Sequence, residues 1–185
     1  MNSQDVIELT RIVMENEKGE ILRQVMRSWA TGVAVLTTIC GEVKGGITVN
    51  SFTSLSLDPP LVLVNVAKHN PLHSLFSECR VFGLSILGET QNEISNLFAG
   101  FGQRVADKFA EVETFTLTTG SPMIAGGIAY LDCEVFSILH LPQSALIIGE
   151  VVDGRSLDAH EPLLYFNRDY ARIRRPDTSE GKPNR

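Results

Sequence analysis

The sequence predicts a mainly β protein of the α+β kind, an antiparallel barrel with short helices attached. Three observations predict it. Apolar segments with strand-like patterning follow one another in runs, short segments with helical spacing are interposed, and the order shows no strict βαβ alternation. A doubly wound parallel sheet is therefore disfavoured.

In order along the chain, residues 1–18 are polar with weak helical spacing, an N-terminal arm. Ile21, Leu22, Val25, Met26 and Trp29 follow at helical offsets and predict a helix with one buried face, Trp29 in the core. Gly32 is placed to stop that helix in a left-handed conformation. Val33–Cys40 reads as a strand, Gly41–Gly46 as a turn, and Gly45–Pro60 as the hairpin partner. Leu61–Ala67 is a nearly continuous apolar run, an interior strand, followed by the loop Lys68-His69-Asn70-Pro71. Leu72, Leu75, Phe76 and Cys79 mark a short helix, Arg80–Leu87 a strand. Thr90-Gln91-Asn92-Glu93 has capping-box spacing before a helix through Ile94, Leu97, Phe98 and Phe101. After an irregular stretch come a short strand at Phe115–Thr119 and a Pro/Gly loop at Ser121–Gly127. Alternation from Ala129 to Leu141 predicts a long strand with Tyr130, Asp132 and Glu134 on its other face. Pro142-Gln143 turns into Ala145–Val152, and Leu163–Phe166 is the last strand. The organisation is an arm at 1–20, one domain at 21–175, and a flexible tail at 176–185.

At 185 residues with 43% hydrophobic and 21% charged residues, the chain has the composition of an ordinary globular domain. A formal charge of -6 excludes nucleic-acid binding as the first reading, since little here would neutralise phosphates. Cys40, Cys79 and Cys133 are odd in number and far apart, which predicts reduced thiols in the cytoplasm and neither disulfides nor zinc. The four histidines are dispersed, so no metal site is read. No signal-like or membrane-length apolar run occurs, and the expected location is cytoplasmic. There is no G-x-G-x-x-G, P-loop or G-x-S-x-G. Glu89, Glu93, Asp132 and Glu134 read as solvated faces, and Lys108 beside Phe109 as a surface lysine.

One stretch stands out. Ile47 and Val49 share one parity, Phe52 falls on the other, and Leu55 and Leu57 restore the first. A pattern that slips and recovers predicts a bulge, or a strand that leaves its sheet briefly. Ser51, Thr53 and Ser54 sit in the slipped part, small hydroxyls beside backbone N–H groups that can serve an anion. A Ser/Thr-rich edge strand is the plainer alternative.

The motifs Trp29-Ala30-Thr31-Gly32-Val33, Thr48 to Ser54, Leu57-Asp58-Pro59-Pro60-Leu61-Val62, Phe98-Ala99-Gly100, Asp107-Lys108-Phe109, Ala129 to Glu134, Gly149-Glu150-Val151 and Pro162 to Phe166 with Tyr170 occur in order. This series resembles the short-chain flavin reductases, the FMN-binding split-barrel proteins that supply reduced flavin to two-component monooxygenases. The resemblance implies a homodimer of Greek-key split barrels with FMN or FAD near the subunit interface. By position, Thr48, Val49, Asn50 and Ser51 would line the isoalloxazine and ribityl chain. Thr31, Gly32 and Val33 would border the ring, with Phe98 and Lys108 closing the far side. Ser54 and the loop Ala67, Lys68, His69, Asn70 would lie near the phosphate.

Hydride would pass from NADH or NADPH to the flavin with no catalytic side chain supplied by the protein. A flavin carrier, or a flavoprotein reduced by a protein partner, is the alternative. Two departures bear on this. Asn70 and Leu72 stand where the family usually has Ser and Thr, and Pro142-Gln143-Ser144 replaces a Gly-Asp-His associated with the nicotinamide cofactor.

Overall fold

A computed structural model describes residues 17–100, 107–157 and 161–174. A helix over residues 17–27 (α1) precedes strands β1 (Thr31–Gly32), β2 (Ala34–Cys40), β3 (Val43–Val49), β4 (Phe52–Leu57) and β5 (Pro60–Ala67). Then come α2 (Leu72–Cys79), β6 (Val81–Ile86), α3 (Asn92–Ala99) and a 3-10 turn (Lys108–Glu111). The chain finishes with β7 (Thr114–Thr116), β8 (Pro122–Ile124), β9 (Ala129–His140), β10 (Ser144–Ser156), β11 (Leu164–Phe166) and β12 (Asp169–Ala171).

Seven strands form one antiparallel sheet in the order β3-β2-β6-β9-β10-β5-β4. Within it β5-β10-β9-β6 is a Greek key, three successive strands with the preceding one returned beside the last. The two edges of this sheet, β3 and β4, are consecutive in the chain and separated only by Asn50-Ser51. Three Cα steps span at most about 11 Å, so the edges must come together and the sheet curls into a barrel open along that seam. The slip in the sequence pattern is this passage from one edge to the other. Ser51 extends the β4–β5 pairing by one residue, its carbonyl accepting from Asn65 N–H at 3.4 Å and its hydroxyl donating to Asn65 O at 2.9 Å.

Two hydrophobic cores share β2. Ala34 and Leu36 join Val64, Phe76, Phe82, Leu84 and Ile147 inside the barrel, while Val33 and Val35 join Leu87, Phe98, Ile124 and Leu163 outside it. Burial on both faces explains why residues 33–36 are apolar without alternation. Gly149 on β10 faces the Phe82 ring, where a Cβ would lie 2.2 Å from its Cζ. Only glycine lets the ring cross that strand.

Several expectations are corrected. Helix α1 ends by residue 27 rather than at Gly32, which pairs with Leu164 in a small β1-β11-β12 sheet. The apolar stripe on α1 is exposed, and so is Trp29 just beyond it at 65%, because no described element packs over them. Strand β3 starts at Val43, so only Gly41-Glu42 form the turn, with Gly41 at a φ of 60°. Helix α3 has no capping box. Its N-cap is Gln91, whose Oε1 accepts from Gly88 N–H and whose Nε2 donates to Ala125 O. The Ser121–Gly127 loop contains β8, with Pro122 as its first residue, where a missing donor is tolerated. Asp132 is fully buried, accepting from the N–H of Thr119 at 2.6 Å and from its hydroxyl at 2.5 Å. Tyr130 is buried too, edge-on to Phe115 at 4.9 Å.

Cys40 and Cys79 are joined as a disulfide, Cα atoms 5.3 Å apart, and only Cys133 is a free thiol among the described residues. Helix α2 packs against β2 with the last residue of each meeting the other. A separation of 39 residues hid that pairing. The expectations for residues 1–16 and 176–185 lie outside the described residues, and residues 17–20 belong to α1. No described helix is long and apolar enough to cross a membrane.

Candidate functional site

A groove follows the seam of the barrel, formed by adjoining clefts that share lining residues. At its centre Thr48, Val49, Asn50, Ser51, Ala67, Asn70, Phe98 and Ala99 line a space of about 230 Å³. Val33, Thr48, Asn50, Ser95, Tyr165 and Tyr170 enclose about 190 Å³ on one flank. Toward α1 the groove widens to about 500 Å³ between Arg27, Trp29, Thr31, Asn50, Tyr165 and Arg168. At the opposite end Lys44, Gly46, Asn70, Phe98, Asp107 and Lys108 line about 330 Å³.

Local sequence explains the shape. Thr48 Oγ1 donates to Ser95 O at 2.6 Å, tying α3 across the end of β3. Gly46 lets the Phe98 ring lie against the β3 backbone, since a Cβ there would stand 2.6 Å from the ring. Phe98, 1% exposed, is held edge-on by Phe109 at 5.4 Å. Tyr170 donates to Asn96 Oδ1 at 2.8 Å and meets Tyr165 edge-on, so the C-terminal hairpin is fixed to α3. Asn70 Oδ1 accepts from Leu72 N–H at 3.0 Å, fixing the loop at the start of α2.

Of the residues picked out by the sequence, Thr31, Val33, Thr48, Val49, Asn50, Ser51, Ala67, Asn70, Phe98 and Lys108 line this groove. Gly32, Ser54, Lys68 and His69 line none of these clefts. Gly32 is taken up in the β1–β11 pairing, and Ser54 is exposed on β4, with Thr53 nearer the seam. Lys68 is turned to solvent where its N–H donates to Gln143 O. Tyr165, Tyr170, Ser95, Arg27, Arg168 and Lys44 were missed, because each reaches the groove through tertiary packing with no local pattern to mark it.

The chemistry on offer is neutral hydrogen bonding at the centre with cations at both ends, Lys44 and Lys108 at one and Arg27 and Arg168 at the other. Asn50 makes no hydrogen bond with any described residue and lies where three of the clefts meet. Thr31 Oγ1 is buried with no partner. Lys108 Nζ donates to Phe98 O at 3.1 Å and sits 5.8 Å from that ring's centroid, and burial holds its pKa below the usual lysine value. Free donors of this kind beside an aromatic wall and a lysine fit a flat, hydrogen-bonding ring that carries a phosphate chain. No carboxylate, histidine or thiol stands at the centre of the groove.

Comparison with known proteins agrees. Residues 26–174 match the family model described as flavin reductase like domain. The NADH-dependent flavin reductase StyB of Pseudomonas fluorescens is 40% identical over 152 residues, covering 80% of this chain and 86% of that protein. The NADH-dependent FAD reductase of Streptomyces globisporus is 33% identical over 163 residues, covering 87% of this chain and 88% of that protein. The solved styrene monooxygenase flavin reductase of Pseudomonas putida S12 superposes with a TM-score of 0.74 at 35% identity, covering 84% of this chain and 98% of that one. With the match spanning most of its length, the chain belongs to the flavin reductase-like family.

Proposed function

We propose that the chain is an NADH:flavin oxidoreductase that reduces FMN or FAD and hands the reduced flavin to a flavin-dependent monooxygenase. The observation that carries this reading is Asn50, without a hydrogen bond to any described residue at the meeting point of the clefts, with uncharged side chains lining the two narrower ones around it. The relatives' names give the donor and the class of acceptor. When bound, flavin supplies the hydride acceptor.

The protein's part is placement. Asn50 and Ser51 hydrogen-bond the polar edge of the ring, where charge develops on reduction. Val33, Val49 and Phe98 exclude water from its faces, and Thr31 Oγ1 gains the partner it lacks. Asn70 and Lys108 hold the phosphate end. For the rest, the groove would hold the nicotinamide beside the flavin, so that no catalytic side chain would be required.

A second copy of the chain would cover the exposed face of α1, where Ile21, Leu22, Val25 and Met26 are each at least half exposed. Dimerisation there would bring the partner to the wide end of the groove. An NADH-consuming enzyme of this kind works in the cytoplasm. The companion reading, a flavin carrier reduced by a protein partner, is favoured by Pro142-Gln143-Ser144 in place of Gly-Asp-His.

The test is steady-state NADH oxidation with FMN or FAD, alongside flavin absorbance of the purified protein. Turnover supports the reductase, bound flavin with no turnover from NADH or NADPH supports the carrier, and neither removes both. Replacing Ser51 with Leu is expected to abolish flavin binding while leaving a folded chain. Unchanged flavin affinity in that variant counts against the groove.

A further inference from the structure

The wide end of the groove is unlike the rest of it. Arg23 and Arg27 on α1, Trp29, and Arg168 on the β11–β12 turn line it together, in a chain whose formal charge is -6. Among the described residues Glu20 is the one carboxylate that reaches them, at 2.6 Å from Arg23 and 3.7 Å from Arg27. One acid against three guanidinium groups leaves the described lining net positive. Two polar atoms in its lining are buried with no hydrogen-bond partner, Arg27 Nε and Thr31 Oγ1. Leaving such atoms unpaired is costly unless something binds there.

The cleft is also built to hold its shape. Asn167 N–H donates to Arg27 O at 3.0 Å, pinning the hairpin turn to the end of α1. Asn167 and Arg168 both have positive φ, 50° and 69°, as a two-residue type I′ turn requires, and the second is unfavourable for arginine. That turn sets the arginine beside the cleft. Trp29 is 65% exposed and lines the same cleft as the arginines.

Guanidinium groups bind diphosphates through paired N–H donors, and an exposed indole stacks on a purine. We propose that this cleft is a subsite for an adenosine diphosphate moiety, its phosphates on Arg27 and Arg168 and its adenine on Trp29. NADH and FAD both carry that moiety and FMN does not. The subsite rests on the reductase reading and deepens it. It gives the chain a means of holding a dinucleotide without the histidine that Ser144 replaces.

Trp29 is the only tryptophan in the chain, so its emission reports on the cleft. Titrating ADP into the full-length protein should change that emission saturably, and calorimetry with FMN saturating the groove should still detect ADP. The Arg27→Ala/Arg168→Ala double variant should bind ADP about tenfold more weakly or worse, as expected from losing charge-assisted hydrogen bonds. The Arg27→Lys/Arg168→Lys variant should recover part of that loss, and Arg155→Ala, a cation over Phe115 elsewhere, should leave ADP affinity unchanged. A raised KM for NADH with FMN as acceptor would assign the moiety to the donor. FAD affinity falling to that of FMN, with the KM for NADH unchanged, would assign it to the flavin and overturn the placement of the flavin phosphate at Asn70 and Lys108. The proposal is overturned if ADP does not titrate, if the double variant binds it as tightly as the parent, or if the substitutions alter only the sedimentation of the protein. FMN absorbance, measured separately, distinguishes failure of this subsite from failure of the flavin reading.

Discussion

The two cores of this molecule are built from the same strand and do different work. Inside the barrel, Phe82, Leu84, Val64 and Ile147 come from strands whose neighbours fix them on both sides. Outside it, Val33, Phe98 and Leu163 come from three distant parts of the chain and meet only when α3 and the C-terminal hairpin dock. The inner core specifies the barrel; the outer one shapes a wall of the groove. Stability and binding are therefore expected to separate by core, and substitutions can break that separation.

The largest effects come from emptying each core by one ring. Phe82→Ala removes a fully buried side chain that packs edge-on to Phe76 at 6.4 Å and should cost about 3–5 kcal/mol. Phe98→Ala should cost a similar amount, about 3–5 kcal/mol, because its ring is equally enclosed. The two should part on FMN affinity, measured by fluorescence titration well below either melting point. Phe98→Ala should lose it and Phe82→Ala should keep it. Equal losses would mean that the groove depends on the whole barrel and not on the outer core.

A second contrast lies in how each core is tied down. The inner one carries a covalent link, Cys40–Cys79, which fastens α2 to the end of β2. Closing a loop of 39 residues predicts about 2–4 kcal/mol of stability that reductant should remove. Thiol titration of the denatured protein should find one reactive thiol before reduction and three after it. Three before reduction would show that the pair is not bonded, and that the sequence reading of reduced cysteines was right.

The outer core is tied by the hydrogen bond from Tyr170 to Asn96, and Tyr170→Phe should cost about 1 kcal/mol. FMN binding should weaken with it, read in the same titration. An unchanged affinity would show that α3 alone fixes that wall.

Legibility in the sequence divides along the same line. Strand order within hairpins and the slip at Phe52 could be read because they follow from local alternation, and the slip proved to be the passage between sheet edges. Trp29 was misread because its helical spacing shows an apolar face without saying what covers it. Asp132 was misread because alternation assigns a face, while the covering segment at Thr119 is a tertiary fact. Thr48, Val49, Asn50 and Ser51 were legible as a group through the motif series. The arginines at the wide end were not, since Arg23 and Arg168 lie 145 positions apart and meet only through a turn.

The smallest test concerns the inner core's only free thiol. Burial, with the Asp132 carboxylate adding to it, pushes the Cys133 pKa up to about 12 from 9.0. A raised pKa on an acid means that the folded state keeps its proton while the unfolded chain loses it. Stability is then complete below the unfolded value and declines as pH rises from 9.0 toward about 12. The limiting slope is about 1.4 kcal/mol per pH unit for one group. Burial raises the Tyr130 pKa as well and lowers that of Lys108, which act in opposite directions, so the parent's own profile mixes several groups. Comparison with Cys133→Ala isolates the thiol. The variant should begin less stable at neutral pH through a small cavity, and should lose less on titration by denaturant from pH 8 to 10.5. Parallel profiles would mean that the thiol ionises in place, and that the inner core is wetter than its packing indicates.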